Sequence, residues 1–263
     1  MTREMENTVV AVAGLSSGLG EVIAKRYAEA GAYLVLSDQS QEVVDRTVKE
    51  MRDAHPESKP LGMVTEFTDL ASCEAMIAST LKHHGKLDVL NIATVTAPRR
   101  REPLVSTDPE EWDRIMAVNA KGPYLLCKSA IPALTRPGGA IVIVGSFTAQ
   151  KGVAELCAYS ASKGALASLT KSLSLELAAE GLRVNLVAPG YLWSKVDQLE
   201  LEKRAAVTGK SVEEISALRD STIPLARRAA TREIADAFFF LGSPAASYIT
   251  GSCLDVNGGL VLR

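Results

Sequence analysis

The sequence predicts an α/β fold in which a parallel sheet is wound on both faces by helices. Three observations carry that expectation. Short β-branched, apolar runs alternate with longer helix-period stretches along the whole chain. The strand candidates are apolar throughout rather than alternating, as strands covered from two sides must be. A glycine-rich segment follows the first strand directly. About seven strands can be counted, a Rossmann-type doubly wound sheet. No proline/serine-rich linker, composition break or internal repeat divides the 263 residues, so one domain over residues 1–263 is expected.

Residues 8–13 (TVVAVA) read as a buried strand, and 18–30 as a helix stopped by Gly31. Residues 33–37 give the second strand and 41–54 a helix ending near Pro56. A weaker third strand spans 61–67, a helix 72–84 closes at Gly85, and a fourth strand spans 87–92. Residues 109–134 are helix-prone, with Gly122-Pro123 expected to bend or interrupt the run. The fifth strand is 140–144. Residues 159–180 form a long helix with Leu166, Leu169, Leu173 and Leu177 along one stripe, ended by Gly181. A sixth strand at 183–187, a charged helical stretch at 197–220, a helix at 231–241 and a last strand at 253–256 complete the chain. Right-handed crossovers then bring the carboxyl ends of the strands to one edge, where such sheets bind ligands.

Composition narrows the function. Twenty-nine Lys and Arg against 31 Asp and Glu leave a formal charge of -2, with no basic footprint for nucleic acid and no polybasic membrane patch. Residues 1–8 are polar, unlike a signal peptide, and no apolar run is long enough for a membrane span, so a cytoplasmic location is expected. The four cysteines are scattered and form no CxxC; reduced thiols are expected, and no His/Cys/carboxylate cluster offers a metal site. The His83-His84 pair reads as a solvated helix end.

After the first strand comes Gly14-Leu15-Ser16-Ser17-Gly18-Leu19-Gly20. Its glycines allow a sharp turn and a close backbone approach, and the next helix aims its N-terminal amides at the loop, as a pyrophosphate site needs. The spacing GxxxGxG is neither the common GxGxxG nor a Walker loop. Asp38 follows the second strand, 18 residues beyond Gly20, where a carboxylate reaches an adenosine ribose and repels a 2′-phosphate. Neither Ser17 nor Gln39 supplies a cation, so NAD is expected over NADP.

Tyr159 and Lys163 stand four apart on the long helix and share a face. A free phenol, with a pKa of about 10, is a poor base at neutral pH; a nearby ammonium favours its phenolate. Ser146 lies 13 residues before Tyr159, after the fifth strand, and Asn119 lies 27 residues before Ser146.

With these residues, Asp69 and the segment Asn185-Leu186-Val187-Ala188-Pro189-Gly190 in the same order and spacing, the chain resembles the short-chain dehydrogenase/reductase family in its compact, single-domain, NAD-preferring form. The resemblance covers essentially all of the chain. It implies that Tyr159 is the acid/base and that Lys163 lowers the tyrosine pKa and holds the nicotinamide ribose. It implies that Ser146 bonds the substrate oxygen, and that Asn119 anchors a relay water through its main-chain carbonyl. Cofactor contacts are implied for Gly14, Ser16, Ser17, Gly18, Leu19 and Gly20 in the loop. Asp38, Asp69 and Leu70 are implied at the adenosine, Asn91 and Ala93 at the floor, and Pro189, Gly190, Leu192 and Ser194 at the carboxamide.

Two departures bear on the cofactor floor. Ala13 stands where the family usually has Thr, and Asn91-Ile92-Ala93-Thr94 stands, one residue early, for the usual Asn-Asn-Ala-Gly. The two changes are expected to compensate each other.

Substrate choice is expected from residues 94–105, 147–158 and a charged lid at 191–222. Arg99-Arg100-Arg101 reads as a solvated run. The expected activity is hydride transfer between NAD(H) and a secondary alcohol or ketone, in a dimer or tetramer. The competing readings are an NADPH-dependent carbonyl or 3-oxoacyl reductase and a dinucleotide-binding sensor or scaffold without turnover.

Overall fold

The computed structural model describes residues 4–193 and 195–262, without the side chains of residues 195 and 196. Seven strands form one sheet: β1 (Val9–Ala13), β2 (Tyr33–Asp38), β3 (Leu61–Val64), β4 (Val89–Ile92), β5 (Ala140–Val144), β6 (Arg183–Pro189) and β7 (Cys253–Val256). Their order is β3-β2-β1-β4-β5-β6-β7, and every pairing is parallel. The order reverses between β1 and β4, which opens a crevice above their carboxyl ends.

The described helices are α1 (Leu19–Glu29), α2 (Gln41–Ala54), α3 (Leu70–His84), α4 (Pro109–Met116), α5 (Gly122–Ala130), α6 (Cys157–Leu177), α7 (Lys195–Thr208), α8 (Val212–Asp220) and α9 (Thr231–Gly242). Successive strand residues point to opposite faces, and both faces are apolar. Val10, Val12, Leu34, Leu36 and Val142 pack with Ile23, Tyr27, Phe238 and Phe239 of α1 and α9. Val9, Ala11, Val35, Leu90 and Ile141 pack with Met76, Ile77, Leu126 and Leu166 of α3, α5 and α6 on the other face.

The expected break near Gly122-Pro123 takes a particular form. Residues Ala117–Lys121 make a π-helical turn, closed by Gly122 N–H donating to the Ala117 carbonyl, and the chain runs on as α5. Pro123 has no N–H for the carbonyl four residues back, which belongs to Asn119. Widening the turn relieves the clash and places Asn119 at the distortion.

Several boundaries move by a few residues. The third strand stops at Val64, while β6 runs on to Pro189 and the long helix starts at Cys157. The charged stretch divides into α7 and α8, because Gly209 takes a positive φ of 68° and Ser211 starts a new helix with a capping box. His84 is not a solvated helix end: its ring stacks on Tyr33, with centroids 5.9 Å apart. Among the described residues no helix is long and apolar enough to cross a membrane.

Candidate active site

The glycine loop joins β1 to α1 at the crevice. A Cβ on Gly20 would sit 2.1 Å from the Gly14 carbonyl oxygen, and one on Gly14 would sit 2.6 Å from the Thr94 nitrogen. These two glycines let the loop fold on itself and on the segment after β4. Gly18 differs: its φ is +82° and nothing lies within 4 Å of the Cβ position, so bare backbone faces open space. Gly18 caps α1 with no side-chain hydrogen bond, leaving first-turn amides for a ligand. The Ser17 and Thr94 hydroxyl oxygens are buried with no partner among the described residues, as groups awaiting one would be. Leu19 starts α1 and is buried in the core cluster that includes Ile23. A bare, amide-lined cradle with orphaned hydroxyls fits a dinucleotide pyrophosphate.

Asp38 closes β2 beside this loop. Its Oδ2 accepts from Leu15 N at 2.7 Å and Ser16 N at 2.8 Å; its Oδ1 accepts from Ser16 Oγ at 2.5 Å and Ser40 N at 3.1 Å. Burial works against the charge, but the bonds from Ser16, Ser40 and Leu15 outweigh it and hold the carboxyl below its ordinary value. Asp38 is therefore first a brace for the loop, with all four of its acceptor positions taken. Gln39 donates its amide to both Glu66 oxygens at 2.8 Å. Asp69 caps α3 through Ser72 N at 2.9 Å, and Leu70 begins that helix.

Asn91 departs from its expected role. It lies inside β4, fully buried, on the face that carries Val89 and packs on Tyr27. Strand alternation turns its side chain into the core, away from the crevice. Ala93 and Thr94 make the floor instead: Ala93 N donates to the Ala13 carbonyl at 2.8 Å, and Gly14 packs on Thr94. The departures at Ala13 and at Asn91–Thr94 thus meet through backbone contacts that need no hydroxyl on residue 13.

At the carboxyl end of β5, three side chains converge. Ser146 caps the short turn Phe147–Ala149, accepting from Thr148 N at 3.2 Å. Ser146 also lies close enough to the Tyr159 phenol to pull its pKa down. Lys163 is fully buried and donates to the Val144 carbonyl at 3.1 Å, with its nitrogen 5.7 Å from the Tyr159 ring centre.

Burial dominates the electrostatics of this cluster. Burial pushes the Tyr159 phenol up to about 12, against a partial lowering by Ser146. Burial also brings Lys163 down to about 7, so near neutrality its amine carries only part of a charge. Desolvation is the largest influence on both groups, and it acts on Tyr159 against any pull from the Lys163 ammonium.

Asn119 is buried in the π turn. Its Oδ1 accepts from Thr96 N at 2.7 Å, and its Nδ2 donates to the Thr96 carbonyl at 3.0 Å and to Ser162 Oγ at 3.3 Å. The side chain thus ties the loop after β4 to α6 and leaves any chemistry to the main chain. Thr96, Ser162 and Thr148 escape a motif search, because each acts only through a partner that the fold brings near.

Beyond β6, Gly190 N donates to the Val256 carbonyl at 3.0 Å, and a Cβ there would lie 2.8 Å from the Asn257 Cα, so Pro189-Gly190 turns tightly against the segment after β7. Leu192 makes an isolated bridge with Ala229. Ser194 lies outside the described residues. Fully buried Arg228 pairs with Asp197 at 2.7 Å and with Asp220 at 3.0 Å, and its guanidinium lies 3.4 Å from the Trp193 ring centre. Arg99 and Arg100 are exposed, as a solvated run would be, and pair with Glu111 and Glu102, while Arg101 is half-buried against Glu200 of α7.

Comparison with known proteins agrees with this geometry. A family model described as enoyl-(acyl carrier protein) reductase matches residues 13–261. Dehydrogenase/reductase SDR family member 4 of Bos taurus is 35% identical over 256 residues, covering 97% of this chain and 88% of its own. A 3alpha-hydroxysteroid dehydrogenase of Mediterraneibacter gnavus is 32% identical over 256 residues, covering 97% of both. A solved actinorhodin polyketide ketoreductase with NADPH superposes with a TM-score of 0.89 at 27% identity, covering 99% of both chains. The hydroxyl–phenol–amine cluster, the glycine cradle and these matches together identify the chain as an oxidoreductase of the short-chain dehydrogenase/reductase family.

Proposed function

We propose that this protein transfers hydride between NAD(H) and a secondary alcohol or ketone, with Tyr159 exchanging the proton. The observation that carries the reading is the meeting of Ser146, Tyr159 and Lys163, whose nitrogen lies 5.7 Å from the Tyr159 ring centre, on the sheet edge that also holds the open glycine cradle. When bound, the nicotinamide supplies the hydride donor or acceptor; the chain does the rest. Gly14, Ser16, Ser17, Gly18 and Gly20 hold the pyrophosphate, with Leu19 near the ring. Asp69 and Leu70 would hold the adenine, and Ala93, Pro189, Gly190 and Leu192 would complete the cleft; the part proposed for Ser194 falls outside the described residues.

With its pKa near 12, Tyr159 is a phenol at neutral pH. In reduction it gives that proton to the carbonyl oxygen while Ser146 donates a hydrogen bond to the same atom. In oxidation Tyr159 first gives up its own proton, and the phenolate then takes the hydroxyl proton. Lys163 holds the cofactor ribose, and the Asn119 carbonyl anchors a water that returns the proton to solvent. Residues 191–222 form the lid.

The preference for NAD rests on charge. The Asp38 carboxylate stands at the ribose position, and Gln39 turns its amide to Glu66. Two carboxylates there, with no cation at residue 17 or 39, disfavour a 2′-phosphate. One ribose hydroxyl binds Asp38 by displacing the Ser16 hydroxyl.

Exposed Tyr124 and Leu175, on α5 and α6, support self-association into a dimer or tetramer. The relatives' names favour cyclic secondary alcohols in a first screen: one is a 3alpha-hydroxysteroid dehydrogenase, another a cis-4-hydroxycyclohexanecarboxylate dehydrogenase from Sinomonas cyclohexanicum, 35% identical over 253 residues. The test is steady-state turnover on an alcohol and ketone panel with each cofactor. A higher kcat/KM with NAD(H) supports the proposal. A clear NADPH preference overturns the cofactor assignment, and no turnover with either overturns the activity.

A further inference from the structure

Thr148 sits two residues beyond Ser146, in the short turn that Ser146 caps. Both side chains are buried, with Ser146 6% and Thr148 5% exposed. Ser146 Oγ lies 3.2 Å from Thr148 N and 3.0 Å from Thr148 Oγ1. Among the described hydrogen bonds of Thr148 Oγ1, Ser146 Oγ is its one partner.

A hydroxyl has one hydrogen and two lone pairs. The Thr148 N–H can only donate, so it takes one Ser146 lone pair. The buried Thr148 hydroxyl hydrogen has one acceptor in reach, the same oxygen, and leaving it unpaired is costly. Both acceptor positions of Ser146 are then filled. Its own hydrogen is left free to donate elsewhere, and Tyr159 stands near enough for Ser146 to draw its pKa down.

We propose that Thr148 is a positioning residue that fixes Ser146 as a hydrogen-bond donor, to the Tyr159 oxygen before substrate binds and to the substrate oxygen once substrate is bound. The proposal rests on the roles assigned above to Ser146 and Tyr159. Without the Thr148 hydroxyl a Ser146 lone pair opens. The Tyr159 O–H then turns onto Ser146, and the proton needed in reduction is held away from the substrate.

Thr148→Val keeps the shape and removes the hydroxyl; Thr148→Ser restores it without the methyl; Thr148→Ala is a second hydroxyl-free variant should Val not fold. The expected result is a kcat reduced about five- to tenfold in Val or Ala, with dinucleotide KM within about twofold of wild type, and Ser within about twofold in both. The pH profile of oxidation shifts to higher pH in the hydroxyl-free variants, because a Tyr159 that donates to Ser146 holds its proton more firmly.

An independent readout needs no substrate. In protein made with Cζ-labelled tyrosine, the Tyr159 resonance, assigned with Tyr159→Phe, moves in Thr148→Val and returns in Thr148→Ser. An unmoved resonance, or a Ser variant as impaired as Val, overturns the proposal. If the wild type turns over no substrate, the oxidoreductase reading fails while the resonance still tests Thr148.

Discussion

The glycine cradle and the hydroxyl–phenol–amine cluster lie on the same sheet edge and are built on opposite plans. The cradle works by what its residues lack. Gly14 and Gly20 admit no Cβ, because backbone atoms already occupy that space, and Gly18 leaves its main chain bare. The cluster works by side chains whose chemistry is set by burial: the same helix spacing in water would leave Tyr159 and Lys163 near their ordinary values. A backbone site is therefore broken by adding atoms, and a side-chain site by removing one.

Removing one oxygen should give the largest effect. Tyr159→Phe takes away the exchanging proton and leaves a ring of nearly the same shape. Turnover is expected to fall by about 10²–10⁴-fold, while NADH affinity, measured by fluorescence titration, stays within about twofold. If affinity falls as far as turnover, the two sites are not separable in this way. Steady-state oxidation by the wild type should rise with pH across the neutral and mildly alkaline range, because the buried phenol remains protonated until about 12. Reduction, which uses the protonated phenol, should show no such rise.

Adding one carbon to the cradle should come next and show the reverse pattern. In Gly20→Ala the Cβ would lie 2.1 Å from the Gly14 carbonyl oxygen, a backbone atom that cannot swing aside. The loop must shift, at a stability cost of about 1–3 kcal/mol, and NADH affinity should weaken by more than about tenfold. Calorimetry of binding and of unfolding checks both. Unchanged affinity would mean that the bare loop is not the phosphate site.

The same contrast explains what the sequence makes legible. Glycine spacing, strand–helix alternation and the Tyr159–Lys163 separation survive as patterns, so strands at 140–144 and 253–256 and a helix at 41–54 are placed to the residue. Burial is not a pattern of spacing. Asn91 carries a motif letter but sits on the core face of β4, and only the register against Val12 shows it. The direction of the Tyr159 shift was likewise open in one dimension, since desolvation and a neighbouring ammonium push a phenol in opposite ways. The hydroxyl of Thr148 matters only because the turn after β5 folds it back onto Ser146.

The smallest effect sharpens the contrast from the stability side. Lys163 is fully buried, and its pKa in the native protein is about 7, against an ordinary 10.5. Below about 7 both native and unfolded chains hold the proton, and the native state carries the full cost of a buried charge. Between about 7 and 10.5 the unfolded chain still binds a proton that the native chain has released, so this group's contribution to stability rises with pH, by at most about 1.4 kcal/mol per pH unit. Lys163→Met removes the titration and keeps a long apolar side chain in the same slot. Denaturant unfolding of both proteins from pH 7 to 9 should show the wild type gaining on the Met variant as pH increases. Parallel curves would mean that Lys163 keeps its charge in the fold, and the amine would then be available after all to draw Tyr159 downward.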